Sequence, residues 1–197
     1  MRKLLGTLIF VLFISGASAQ VIPVYKSFDD LPNLMETYGV VFCMIDALPN
    51  QHSARKFALM YPGKVWLIYY NENQKERVKW YKEPEKKEYR VIANKIETLD
   101  GMADKFRSNL IILPRLSQEV DLLMRHLCNW AKDKEEKPDG RVVWVYKKLG
   151  ADHLTMATNY AMLGIDRLST GSLAEPKAED IPKKDRPITA GVMDMQF

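Results

Sequence analysis

The chain has 197 residues, of which 47% are hydrophobic and 27% charged; this suits one folded domain with or without a tail and excludes a chain disordered throughout. A net charge of +4 permits an anionic partner without demanding one. Two cysteines are too few for a disulfide scaffold, and beyond the N-terminal run no stretch is apolar for long enough to span a bilayer.

The N-terminus has two readings. Arg2 and Lys3 precede the apolar run Leu4 to Ile14 and then Ala17-Ser18-Ala19, the pattern of a cleavable signal peptide covering residues 1–19. The same residues also read as a strand, Leu8 to Ile14, that turns at Gly16-Ala17-Ser18 into a second strand, Val21 to Tyr25. Asp29 to Tyr38 predicts a short helix closed by Gly39. Val40 to Ile45 is continuously apolar, as in a strand buried on both faces, and ends in Asp46. Pro49 to Met60 predicts a helix stopped by Pro62-Gly63, and Lys64 to Tyr70 a second buried strand. This alternation argues for a parallel sheet with crossover helices.

From Asn71 to Arg90 seven basic residues face five glutamates, and Val78 and Trp80 alternate with charges. That is a sheet edge guarded by lysines or, on a sharper reading, a surface that touches DNA. Tyr89 to Ile96 predicts a strand, and Thr98 caps a helix running to about Arg107. Asn109 to Pro114 reads as short and extended. Ser117 to Lys132 predicts an amphipathic helix on Val120, Leu123, Leu127 and Trp130. A turn at Pro138-Asp139-Gly140 leads to the strand Arg141 to Tyr146, and Gly150 precedes a last helix, Asp152 to Leu163. Beyond Arg167 the prolines 176, 182 and 187 mark a tail. Cys43 and Cys128 read as two buried free thiols, with a single disulfide as the alternative. His126 and Cys128, two apart on a helix, make a poor ligand pair.

Asp46 and Asp152 carry the chemistry. An open α/β sheet builds its site at the carboxyl ends of its parallel strands, and Asp46 stands at such an end. Asp152 opens a helix whose Ala157 and Ala161 let it lie close to a sheet. Each residue also has an ordinary explanation as a helix cap. Two carboxylates from distant parts of a chain suit hard cations, Mg²⁺ or Mn²⁺, and paired ions of this kind hydrolyse phosphodiesters.

Several segments together carry a resemblance. They are Val41 to Ala47 with Pro49-Asn50; Ala54, Phe57-Ala58 and Tyr61 to Trp66; Asn94-Lys95 with Leu99-Asp100; and Gly150 to His153 with Ala157 and Asn159-Tyr160-Ala161. In this order and spacing they resemble the C-terminal nuclease domain of the large subunit of phage terminases. Asn94 to Asp100 is similar to an N-R-T-x-x-L-D segment, with Lys95 for Arg and Ile96 for Thr. The last group is similar to a D-H-x-x-x-A-x-x-Y-A signature.

The resemblance implies an α/β, RNase H-like mixed sheet flanked by helices over residues 1–167, with a flexible tail over 168–197. It implies a metal-dependent endodeoxyribonuclease using Mg²⁺ or Mn²⁺. Asp46 and Asp152 would be its catalytic and metal-ligating acids, and Asp100 a possible additional acid whose simpler role is a favourable charge in a helix's first turn. Lys95 and Arg107 would touch DNA phosphates, while His153 would be a local hydrogen-bonding partner. Implied partners are double-stranded DNA, the terminase ATPase motor, the small terminase subunit and the portal, in the cytoplasm of the host bacterium and away from any membrane.

Two departures accompany it. No G-x-x-x-x-G-K-[ST] loop occurs, and no acidic residue precedes Asp29 to supply the family's first acid. The expectation is therefore a partial terminase, such as a prophage remnant, weak or inactive alone. The family's fold also favours the strand hairpin at the N-terminus over the signal peptide. The alternative from another class is a secreted or periplasmic non-enzymatic interaction protein matured at Gln20.

Overall fold

A computed structural model describes residues 9–15, 18–24, 28–83, 85, 88–113 and 115–169, the first two segments by their backbone alone. Strands β1 (Ile9–Ser15) and β2 (Ser18–Val24) form an antiparallel hairpin. The two expected strands pair, with Leu12 opposite Val21, but Ser18, assigned to the turn, opens β2, and the hairpin is a two-stranded sheet of its own. The hairpin lies against β3 and α5, both described below.

A 3-10 turn over Phe28–Asp30 leads into α1 (Leu31–Thr37), after which Gly39 takes the left-handed conformation, φ 57°. This is the glycine stop that the sequence announces. Next come β3 (Cys43–Asp46), α2 (Gln51–Met60) and β4 (Val65–Tyr70). Then follow β5 (Val78–Glu83), β6 (Glu88–Ala93) and α3 (Lys95–Arg107). The strand order is β3-β4-β6-β5, with β3, β4 and β6 parallel and β5 antiparallel at the edge. The result is a four-stranded mixed sheet flanked by helices.

The pleat decides which residue meets which layer, because side chains along a strand alternate between faces. Cys43 and Ile45 of β3, with Val65 and Leu67 of β4, join Leu31, Met35, Ala54, Phe57 and Ala58 from α1 and α2 in one buried cluster. Phe42, Met44, Trp66, Ile68, Val91 and Ala93 join Tyr160 and Leu163 in the other. The last two residues belong to α5 (His153–Ser169), which lies across the second face. The foot of that helix is held by the Arg167 guanidinium, 4.8 Å from the ring centre of Trp66 and 4.3 Å from that of Trp80.

Several boundaries differ from the sequence reading, most of them by one to three residues. The strand predicted to reach Ile96 stops at Ala93, because the side chain of Asn94, not Thr98, caps α3 by accepting from the N–H groups of Ile96 and Glu97. Thr98 is buried inside that helix. Helix α4 (Gln118–Cys128) is capped by Ser117 as expected but ends before Trp130. Trp130 opens β7 (Trp130–Glu136), which pairs antiparallel with β8 (Val142–Lys148) in a separate hairpin. Helix α5 runs six residues beyond Leu163, to Ser169, so positions 168 and 169 of the expected tail are helical. The tail from 170 lies outside the described residues.

Cys43 is buried and Cys128 exposed, and both are free thiols. The expectation of two buried thiols thus fails for Cys128, which sits on the solvent side of the last turn of α4. Among the described residues no helix is long and apolar enough to cross a membrane.

Leu67 is fully buried between layers, and removing a side chain of that kind loses transfer free energy and leaves a cavity. Leu67→Ala is expected to lower the unfolding free energy by about 3 kcal/mol in urea titrations. A loss below about 1 kcal/mol would mean that the layers close over the gap.

Candidate functional site

The alternation that buries Phe42 and Met44 against α5 brings Asp46, two residues on, to the same face at the carboxyl end of β3. By the same count Trp66 and Ile68 carry Tyr70 to that face at the end of β4, beside Ala93 at the end of β6. The carboxyl rim of the three parallel strands therefore collects Asp46, Tyr70 and the start of α3 under the N-terminal half of α5.

Asp46 is not the cap of α2. That role falls to Asn50, whose side chain accepts from the Ser53 N–H at 3.2 Å. One Asp46 oxygen instead accepts from the Leu48 N–H at 3.0 Å, and the other from the Tyr160 hydroxyl at 3.0 Å. The side chain keeps access to solvent at the rim, yet protein surrounds much of the carboxylate. Burial raises its pKa above the usual aspartate value, against the opposing pull of the Leu48 and Tyr160 hydrogen bonds and the Lys95 charge.

Behind Tyr160 the hydrogen bonds continue inward. The phenols of Tyr160 and Tyr70 interact, and burial pushes both far above the ordinary tyrosine range. The Asn159 amide donates to the Tyr70 oxygen at 2.9 Å and to the Thr98 oxygen at 3.1 Å. Thr98 donates in turn to the Lys95 carbonyl at 3.1 Å. This chain locks β4, α3 and α5 together beneath the rim.

Lys95, the first residue of α3, is half-buried, with its ammonium 4.4 Å from the ring centre of Trp130 and 6.0 Å from that of Tyr70. Burial lowers its pKa; the charges of Asp152, Glu72 and Asp46 act against that shift, and Lys148 acts with it. Three carboxylates from three parts of the chain thus act on one ammonium. Asp152 is buried and paired with Lys148 at 2.5 Å.

Asp152 is not the side chain that satisfies the start of α5. His126 of α4 does this by accepting the Leu154 N–H on Nδ1 at 3.1 Å. His153 is exposed beside it, the two rings being 6.2 Å apart.

Asp100 faces elsewhere. Both of its oxygens accept from the Lys132 ammonium, at 2.8 and 2.7 Å, and one also accepts from the Tyr146 hydroxyl at 2.7 Å. It fastens α3 to the β7–β8 hairpin. Arg107 is exposed and paired with Asp104 on its own helix. Of the residues singled out from sequence, Asp46, Asp152 and Lys95 thus belong to one electrostatic neighbourhood, whereas Asp100 and Arg107 are engaged in other contacts.

Sequence reasoning passed over Glu72, Tyr70 and Lys148. Strand parity marks Tyr70, which shares a face with Trp66 and Ile68. Glu72 lies in a charged turn just past that strand end, where one glutamate among five offers no signal of its own. No family model matches this chain, and neither does any curated protein or solved structure.

Two pH effects follow. Asp46 has a raised folded pKa, so its contribution to stability is present below its unfolded value of about 3.8 and is lost as pH rises through the folded value. Asp46→Asn is therefore expected to melt higher than the wild type near pH 7 and to converge with it at about pH 3 by scanning calorimetry. A variant less stable than the wild type at neutral pH would show that its hydrogen bonds outweigh its burial.

His126 has a lowered folded pKa, chiefly from burial and then from the charge of His153. Its contribution is present above about pH 6.5 and is lost as pH falls from there through the folded value. His126→Gln keeps an acceptor for the Leu154 N–H and should flatten the fall in melting temperature between about pH 7 and pH 5. An unchanged slope would assign that fall to other groups.

Proposed function

We propose that this chain is an RNase H-like nuclease domain of the terminase type, acting on double-stranded DNA. One observation carries the reading. At the carboxyl rim of parallel strands Asp46 has a raised pKa and Lys95, at the start of α3, a lowered one, and Asp152, Glu72 and Asp46 all act on that ammonium. Opposed perturbations at a sheet rim support a functional reading, since active sites concentrate groups whose charge is disfavoured by burial. The sheet and the crossing of α5 are compatible with that fold, and Asp46 and Asp152 are the two acids that the terminase resemblance singles out.

The donor set limits the metal chemistry. Among the described residues no three His, Cys, Asp or Glu side chains are grouped to hold a metal ion. A bridged pair of ions does not fit, and no step follows from one. The residues that would hold a single Mg²⁺ or Mn²⁺ on this reading are Asp46 and Asp152, and two carboxylates would leave such an ion most of its water. When bound, such an ion would supply Lewis-acid stabilisation to a phosphodiester.

The chain's own residues have separable parts in this scheme. The Tyr160 hydroxyl orients the Asp46 carboxylate. The raised pKa of Asp46 makes it a better proton acceptor than an ordinary aspartate. Lys95 presents a positive charge to a phosphate. On this reading the protein works in the cytoplasm of an infected or lysogenic bacterium, with the terminase ATPase motor, the small terminase subunit and the portal as its partners.

The test is nicking of supercoiled plasmid by the purified 197-residue chain in Mg²⁺ or Mn²⁺, with a chelator control. Slow metal-dependent nicking is expected, because two carboxylates leave an ion largely hydrated. Asp46→Ala and Asp152→Ala should each lower it by at least about tenfold. No nicking under any of these conditions, or nicking that survives Asp46→Ala, would reject the reading.

A further inference from the structure

Strands β7 and β8 pair so that three of the four steps on one face set a lysine opposite an aromatic ring, Trp130 opposite Lys148, Lys132 opposite Tyr146 and Lys134 opposite Trp144, while the fourth sets Glu136 opposite Val142. The other face places Ala131 opposite Lys147, Asp133 opposite Val145, and Glu135 opposite Val143. The alternating charges of Lys132 to Glu135 are thereby sorted, with the lysines on the aromatic side and the acids on the other.

The ladder is contiguous with the rim. Trp130 lies under the Lys95 ammonium, and its cross-strand partner Lys148 is paired with Asp152. The next rung is anchored to α3 through Asp100. The third rung is exposed, ahead of the Glu136–Val142 pair that ends the face. Trp144 has 49% of its surface accessible, with the Lys134 ammonium 5.0 Å and the Lys132 ammonium 5.4 Å from its ring centre. An exposed indole flanked by ammonium groups is more than a hairpin needs for its own stability, since the inner two rungs already tie it to the body.

We propose that this face is a docking track for an unpaired DNA strand, which it receives at Trp144 and leads toward the Asp46–Lys95 rim. The choice of DNA rests on the proposed nuclease function. The choice of a single strand rests on geometry and charge. Aromatic residues two apart on a strand stand about 7 Å from each other, roughly twice the 3.4 Å rise of stacked bases in a duplex. The track therefore suits splayed bases that stack on side chains, while Lys134 beside Trp144 takes a phosphate.

Binding of a fluorescent oligothymidylate of about 12 nucleotides, followed by polarisation with the full chain, tests this without recourse to activity. A duplex of the same length and an oligouridylate serve as parallel arms. Trp144→Ala and Lys134→Glu should each weaken oligothymidylate binding by about tenfold and leave the duplex nearly unaffected. Circular dichroism should be unchanged, since both positions are exposed. Either variant binding the single strand like the wild type would overturn the proposal. So would equal losses for single strand and duplex, or tighter binding of the oligouridylate. Trp144-dependent binding without plasmid nicking would keep the track and reject the nuclease, so the two failures are distinguishable.

Discussion

Tyr160 joins two layers at once: its ring packs on β3 and β4 while its hydroxyl donates to Asp46. This is possible only because the pleat places Phe42, Met44 and Asp46 on the face that α5 crosses. A slip of one residue in β3 would turn Asp46 toward α1 and α2 and expose the buried Phe42 series to the wrong layer. Packing thus enforces the position of the carboxylate. The apolar residues that stabilise the sheet and the acid that stands at its end share one register.

Electrostatics at the rim is a balance of neighbours. Burial disfavours charge on both Asp46 and Lys95, while the charges themselves oppose that effect. Neither partner is fully neutralised by the other alone, because Lys95 also answers to Asp152 and Glu72. Lys148 acts on the same cluster from the base of the β7–β8 hairpin. The hairpin is therefore wired to the rim as well as packed beside it, through Lys148, through Trp130 and, one turn along α3, through Asp100.

Much of this was legible in the sequence where the physics is local. Val40 to Ile45 and Lys64 to Tyr70 are apolar without interruption, and a strand covered by helices on both faces needs that composition. Gly39 and Ser117 mark helix ends through backbone chemistry that does not depend on context. Asp46 stood out because a charge ending such a run has nowhere to go but the rim.

The failures have equally specific causes. Trp130 continues the helical spacing of Val120, Leu123 and Leu127, so the helix was carried past Asn129, where the chain turns. The strand that follows, Trp130 to Glu136, has charges on both faces, and an exposed hairpin strand has no apolar alternation to announce it. Asn94 outcompetes Thr98 as the cap of α3 because its amide reaches two N–H groups at once. Tyr70, Tyr160 and Glu72 meet Asp46 or Lys95 only after the sheet has formed and α5 has crossed it, and no spacing in the chain encodes that meeting.

Lys95 and Lys148 have a consequence for how the protein comes into being. Acidic clusters that rely on a metal for charge balance fold together with their ion, and a cell short of that ion accumulates unfolded chains. Here the counter-charge is covalently part of the polypeptide and arrives with it during synthesis. On the proposed reading, a divalent ion at this rim would meet Lys148 and Lys95 already acting on the carboxylates, and its occupancy would be a competition between a tethered cation and a free one.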